Sequence, residues 1–121
     1  MDTNNYFENL KSKMDRYAHD VYRITKNFPK EEIYGITSQL RRSALSVVLN
    51  YIEGFARQKK AVKKNFWEIS YGSLKESKYL LNFSLKESYL PEKEYEEIIK
   101  IAEEIGAMLW RAISSIKQGN S

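Results

Sequence analysis

Apolar residues recur along this chain in alternating steps of three and four, the spacing that gathers side chains onto one face of an α-helix. The first series, Phe7, Leu10, Met14, Tyr17, Val21, Ile24 and Phe28, runs without a fault and predicts a helix from about Tyr6 to Asn27. Pro29 and Pro91 are the only prolines, and both fall where the pattern breaks. Pro29-Lys30-Glu31-Glu32 predicts a tight connection of about one helical turn ending near Gly35. A second helix follows from about Ile36 to Ala56, with Thr37 as its expected N-cap and Gly54 near its end. A third runs from about Ala61 to Ser88, and a fourth from about Glu92 to about Lys117. No strand-like alternation and no low-complexity segment interrupts them. The pattern therefore predicts an all-α protein, an antiparallel up-down four-helix bundle forming one domain over residues 1–121.

Two of these helices carry more apolar surface than one bundle uses. Ile36, Leu40, Ala44, Val47 and Tyr51 form one stripe on helix 2, and Leu45, Val48, Leu49, Ile52 and Ala56 form another beside it. On helix 4 the seam Ile98, Ala102, Ile105, Leu109, Ala112 and Ile116 is widened by Ile99, Trp110 and Ile113 on one side and by Ile101 and Met108 on the other. Its arc spans about 200°, against the roughly 100° stripe that one core requires. A monomeric bundle buries one face of each helix, so the surplus predicts self-association. Helix 3 instead presents Phe66, Ser70, Ser73, Ser77, Leu80 and Ser84 along one edge, small enough for a neighbouring helix to approach closely.

Composition narrows the class. The 121 residues are 42% hydrophobic and 30% charged, as in ordinary globular domains and unlike disordered chains. With no cysteine there is no disulfide framework, thiolate metal site or thiol nucleophile, which suits a reducing compartment. The polar start Met1-Asp2-Thr3-Asn4-Asn5 lacks a signal-peptide pattern, and no apolar run approaches the roughly 20 residues of a membrane span. The expected location is the cytoplasm.

The net charge of +4 conceals an asymmetry: residues 1–78 carry 15 Lys/Arg against 9 Asp/Glu, and residues 79–121 carry 5 against 7. Arg57, Lys59, Lys60, Lys63 and Lys64 place five cations within eight residues, at the junction of helices 2 and 3. Such a cluster attracts phosphate, because neutralising a polyanion releases its condensed counterions. The same cluster is also what a solvated corner that keeps a protein soluble looks like. Arg41 and Arg42, on the basic part of the chain, are further candidate phosphate contacts.

Catalytic chemistry is hard to find. His19, the only histidine, sits beside Asp20 on the flank of helix 1 and is expected at the surface. Glu96-Glu97 and Glu103-Glu104 resemble solubilising charge, and Glu-x-x-His pairs for a di-metal site are missing. No enzyme activity, metal or cofactor is expected. A polar row on helix 2 holds Gln39, Ser43, Ser46, Asn50, Glu53 and Arg57. Facing solvent, it contributes one Glu53–Arg57 pair of a few tenths of a kcal/mol. Facing a subunit boundary, Gln39, Asn50 and Glu53 form a network that fixes register. Trp67, Tyr71 and Tyr79 lie among Lys64, Lys75 and Lys78, where they either stack on unpaired bases or cover core edges.

Phe28-Pro29-x-Glu31, Gly35-Ile36-Thr37-Ser38-Gln39-Leu40-Arg41-Arg42-Ser43-Ala44, Ser46, Asn50-x-x-Glu53-Gly54 and Gly72-Ser73-Leu74-x-Glu76 together resemble a bacterial four-helix-bundle family. Its members are often called intervening-sequence proteins, because some are encoded inside insertions in large-subunit ribosomal RNA genes. The resemblance implies a homopentamer, five bundles arranged as a barrel around a channel. It also implies kinship with the accessory variability determinant of diversity-generating retroelements, a basic pentamer that binds nucleic acid and a reverse transcriptase. Expected partners are thus further copies of the chain, RNA or DNA, and a reverse transcriptase or other protein. Ser77 departs from the family pattern, which places an apolar residue there, and implies a looser helix 3 seam. The leading expectation is a non-enzymatic nucleic-acid-binding oligomer working through phosphate contacts. The alternative is a pentameric scaffold for a protein partner.

The seam assignment carries its own test. Leu109→Ala should cost about 2–5 kcal/mol in a denaturant titration, whereas His19→Ala should cost under about 0.5 kcal/mol. Equal costs would mean that the helix phases are wrong.

Overall fold

Each of the four apolar seams becomes one helix, and the breaks between them become three short connections. The computed structural model describes residues 3–116: α1 (Thr3–Thr25), α2 (Ile36–Phe55), α3 (Lys60–Lys86) and α4 (Glu92–Ser114), with a single 3₁₀ turn at Lys30–Glu32. No strand occurs among the described residues. Lys117, where the last helix was expected to end, lies outside them. Each helix packs on its neighbours in the chain, and α1 closes the ring against α4. Leu10, Met14, Tyr17, Val21 and Ile24 on α1 are buried, as are Leu40, Ala44, Val47 and Tyr51 on α2 and Ile98 through Leu109 of the α4 seam. Leu109 is fully buried and His19 is exposed, 3.6 Å from Asp15.

Local chemistry sets the helix ends. Past Thr25, α1 tightens into three successive i→i−3 turns at Lys26, Asn27 and Phe28 before Pro29 forbids continuation. Thr37 does not cap α2, as the sequence pattern suggested; it is buried in the first turn, and Gly35 is the N-cap residue. The cap is instead supplied from upstream. The 3₁₀ turn folds Glu32 back so that its Oε1 accepts the Ile36 N–H at 3.2 Å, close to where a Cβ on residue 35 would lie. Glycine at 35 leaves room for that carboxylate. Its other oxygen accepts from the Tyr89 hydroxyl at 3.1 Å, and this bond holds the Tyr89 phenol above the usual tyrosine range.

At the end of α3 the chain makes a Schellman turn: Tyr89 N–H donates to the Ser84 carbonyl at 2.9 Å and Ser88 N–H to Leu85 at 3.0 Å. Ser88 takes the left-handed conformation this turn needs, with φ of 64°. Pro91 then precedes α4, whose first turn holds Glu92 and Glu94 at the positive end of the helix dipole.

The serine edge of α3 packs tightly, as its small side chains imply. Ser70 Oγ donates to the Val47 carbonyl at 2.6 Å, and Ser73 and Ser46 share a hydrogen bond of 2.7 Å. Ser77 does not loosen the seam. It is fully buried, donates to the Leu74 carbonyl at 2.8 Å and meets the Tyr17 hydroxyl of α1 at 2.7 Å. One polar position on α3 is thereby matched by one on α1, and the buried Tyr17 phenol is pushed well above its ordinary pKa. Among the described residues no buried side-chain nitrogen or oxygen lacks a partner.

The surplus apolar surface is distributed differently from the sequence expectation. Helix α4 uses most of its wide arc inside the bundle, leaving Trp110 exposed. The outward rows belong to α2, with Leu49 and Ile52, and to α3, with Val62, Ile69, Tyr79 and Phe83. The left-handed turn yields a direct stability test. Ser88→Gly should stabilise by about 0.5–1 kcal/mol, because glycine adopts positive φ without a Cβ penalty. Ser88→Val should destabilise in the same denaturant titration, and the reverse order would discount the turn.

Candidate nucleic-acid interface

Helix α2 ends at Phe55 and α3 begins at Lys60, so the basic segment forms the corner between them. Arg57 N–H bonds the Gly54 carbonyl at 3.1 Å and Lys63 N–H bonds the Lys59 carbonyl at 3.0 Å. Lys59 is the N-cap residue of α3; it makes no side-chain cap, and the first turn holds no acidic residue. Positive side chains thus stand at the positive end of a long helix dipole. That arrangement raises the local potential.

The five cations are not equivalent. Arg57 pairs with Glu53, and its guanidinium lies 5.3 Å from the centre of the Phe66 ring. Lys63 Nζ stands 5.6 Å from the Phe55 ring centre and 5.5 Å from that of Trp67, a cation–π arrangement. Lys59, Lys60 and Lys64 make no ion pair among the described residues; the first two are exposed and the third is half-buried. Three lysines without an ion pair and two engaged cations make up the corner.

Arg41 and Arg42 lie elsewhere. They are sixteen and fifteen residues before Arg57, which places them about 22–24 Å away along the helix axis. Arg41 is anchored: its Nε donates to Thr25 Oγ1 at 2.8 Å, and its guanidinium covers the Tyr22 ring at 4.6 Å. Thr25 Oγ1 in turn donates to the Val21 carbonyl at 2.7 Å. Arg41 therefore ties the start of α2 to the last turn of α1, where a cation also suits the dipole. Arg42 is exposed, on the rim of an open groove of about 590 Å³ shared with Leu45, Leu49 and Asn50.

In the helix 2 polar row, Asn50 Nδ2 donates to Ser46 Oγ at 2.9 Å and to the Ser46 carbonyl at 3.0 Å. Glu53 makes the i,i+4 pair with Arg57, and Gln39 is exposed. Within one chain the network is therefore Asn50–Ser46–Ser73, which links α2 to α3 and does not join Gln39, Asn50 and Glu53 to one another. The row is bordered on its own helix by the exposed Leu49.

The model of the family described as the 23S rRNA-intervening sequence protein matches residues 9–111. The chain belongs to that family. Among solved structures it is similar to a protein from the S23 ribosomal protein family of Bacteroides thetaiotaomicron, of unknown function. The two share 23% identity and superpose with a TM-score of 0.84 over 91% of this chain and 99% of that one. That likeness shows a shared fold. No curated protein matches the sequence.

For this intervening-sequence family member the Asn50-x-x-Glu53-Gly54 stretch has a definite geometry. Gly54 is buried where α2 passes Trp67, and a Cβ there would lie 2.5 Å from the indole ring and 3.0 Å from the Lys63 carbonyl. The indole N–H donates to the Tyr51 carbonyl at 3.1 Å, and the two rings stack with centres 5.5 Å apart. Trp67 is thus a core residue and is not available to bases. The sequence offered two signals for this contact, a helical glycine and a tryptophan thirteen residues later, but their phase across the corner becomes visible only in three dimensions. Tyr71, which the sequence leaves between stacking on bases and covering core edges, meets Trp110 of α4 at 5.5 Å, a residue that the sequence places in the surplus apolar arc.

The close passage at Gly54 reverses an ordinary expectation. Alanine normally stabilises a helix interior by about 1 kcal/mol over glycine. Gly54→Ala should instead destabilise by about 1–3 kcal/mol, because neither the ring nor the backbone carbonyl has room to retreat. Chemical denaturation followed by tryptophan emission measures it, and a stabilised variant would refute the contact.

Proposed function

We propose that this intervening-sequence family member is a non-enzymatic, homopentameric nucleic-acid-binding protein that engages RNA or DNA chiefly through phosphate contacts. The observation that carries the reading is the α2–α3 corner, where Lys59, Lys60 and Lys64 stand unpaired by carboxylates at an uncapped helix start. Assembly is supported by the exposed rows of α2 and α3, which leave apolar side chains in water in a single chain. Repeating the corner in every subunit multiplies weak contacts into avidity. A non-enzymatic role is supported by the placement of the titratable groups, since the lone histidine stands exposed beside Asp15 and the outer glutamates serve ion pairs such as Lys13–Glu104 and Lys78–Glu103. A protein partner, including a reverse transcriptase, would meet the same assembly.

Light scattering after gel filtration should give about five times the 14.3 kDa chain mass; a clean monomer would refute the assembly. Affinity for structured RNA and duplex DNA should fall steeply with salt, the log–log slope counting neutralised phosphates. Changing Lys59, Lys60 and Lys64 together to Glu should abolish binding and leave the mass unchanged. Lys63 is left alone, because it packs on Phe55 and Trp67. Unchanged binding by the triple variant, or none by the parent at low salt, would give the scaffold reading its place.

A further inference from the structure

We propose that Tyr71 and Trp110 form a stacking platform for unpaired bases, so that the ligand of the neighbouring corner is single-stranded nucleic acid; this rests on the nucleic-acid reading above. Trp110 has 57% of its surface exposed although its neighbours Leu109, Ala112 and Ile113 are buried in the seam. Its ring lies on Tyr71 of α3, with centres 5.5 Å apart and planes tilted by 44°. Lys75 Nζ stands 5.3 Å from the centre of the Tyr71 ring. The bundle gains little from so large an exposed indole. Leaving it in water costs free energy that a flat apolar ligand face would recover.

The surroundings define that ligand. Lys64 precedes Tyr71 by seven residues and Lys75 follows it by four, so all three lie on one face of α3. The two lysines span about 16 Å along the axis, with the aromatic pair between them. Lys64 is also one of the three corner cations, which makes the platform continuous with the phosphate-attracting surface. Lys78, the next cation along, is occupied by Glu103 at 3.3 Å, and Glu68 is the one anion on this stretch of the face. An aromatic pair bracketed by cations fits a strand whose bases are free to stack while its phosphates reach the lysines. In a duplex the bases are already stacked and paired, and only the phosphates could respond. Of the three aromatic residues that the sequence offers either for stacking or for covering core edges, Trp67, Tyr71 and Tyr79, the first is in the core.

Fluorescence distinguishes the cases, because Trp67 is buried and Trp110 is the exposed emitter of the two tryptophans. The full-length protein would be titrated at low salt with a mixed-sequence single-stranded oligonucleotide and with its duplex. The single strand should quench the Trp110 emission and the duplex should not. Trp110→Ala should bind the single strand about 5- to 100-fold more weakly, the effect of losing one stacked base, with its duplex affinity and oligomeric mass unchanged. Trp110→Phe should retain most of the affinity. Single-strand affinity unaffected by Trp110→Ala, or equal quenching by duplex, would overturn the platform while leaving the phosphate-binding reading standing. A changed mass for Trp110→Ala would also overturn it, by making Trp110 a subunit contact. Failure of the parent to bind any nucleic acid would remove both readings together.

Discussion

The approach of α3 to α2 is the constraint on which the rest of the structure depends. Two helices this close leave no space for long side chains between them, and the chain supplies Gly54, Ser43, Ser46, Ser70 and Ser73 along the line of contact. Small residues alone would leave hydroxyls stranded in an apolar interior, where each costs about 1–3 kcal/mol if unpaired. Here each finds a carbonyl or another hydroxyl, and Trp67 spans the top of the contact with its N–H on the Tyr51 carbonyl. The pairing also fixes where the α2–α3 corner points. Because α2 and α3 cannot rotate against each other without breaking these bonds, Lys59, Lys60 and Lys64 are held on a rigid mount.

Periodicity was enough to locate the four helices, since steps of three and four describe a helix whatever surrounds it. The seams of α1 and α4 were legible because each faces a single core. The end of α2 nearest Gly35 was not, because its cap comes from Glu32, a side chain four residues upstream whose path depends on an intervening 3₁₀ turn. Ser77 was misread for a related reason. A serine on a seam looks like a defect until its partner is known, and Tyr17, sixty residues away, is that partner. The basic corner was visible as composition, yet the division into engaged and outward cations depends on where Phe55, Phe66 and Glu53 lie.

Arg41 illustrates how one residue type serves two ends. In sequence it stands beside Arg42 in the stretch shared with the intervening-sequence family, and the pair reads as a phosphate clamp. In the fold both line the groove, but Arg41 is half-buried and held by Tyr22 and Thr25 whereas Arg42 is exposed and makes no ion pair among the described residues. Arginine can do the first job because its planar guanidinium stacks and donates at once. Part of the basic excess of residues 1–78 is therefore used between α1 and α2, and of the outward share Lys59 and Lys60 stand at the far end of the bundle.

Glu32 makes the two ends of the bundle unlike. Its carboxylate holds the first backbone N–H of α2 with one oxygen and Tyr89 of the α3–α4 connection with the other, so a single side chain joins both connections at that end. Their lengths are consequently coupled: a residue added to or removed from either one pulls the carboxylate off one of its two partners. Among the described residues, no side-chain hydrogen bond ties the α2–α3 corner to another connection. For anyone grafting a reporter or a peptide into this scaffold, and for a lineage accumulating insertions, the corner is the place where the chain can be lengthened without disturbing a second segment.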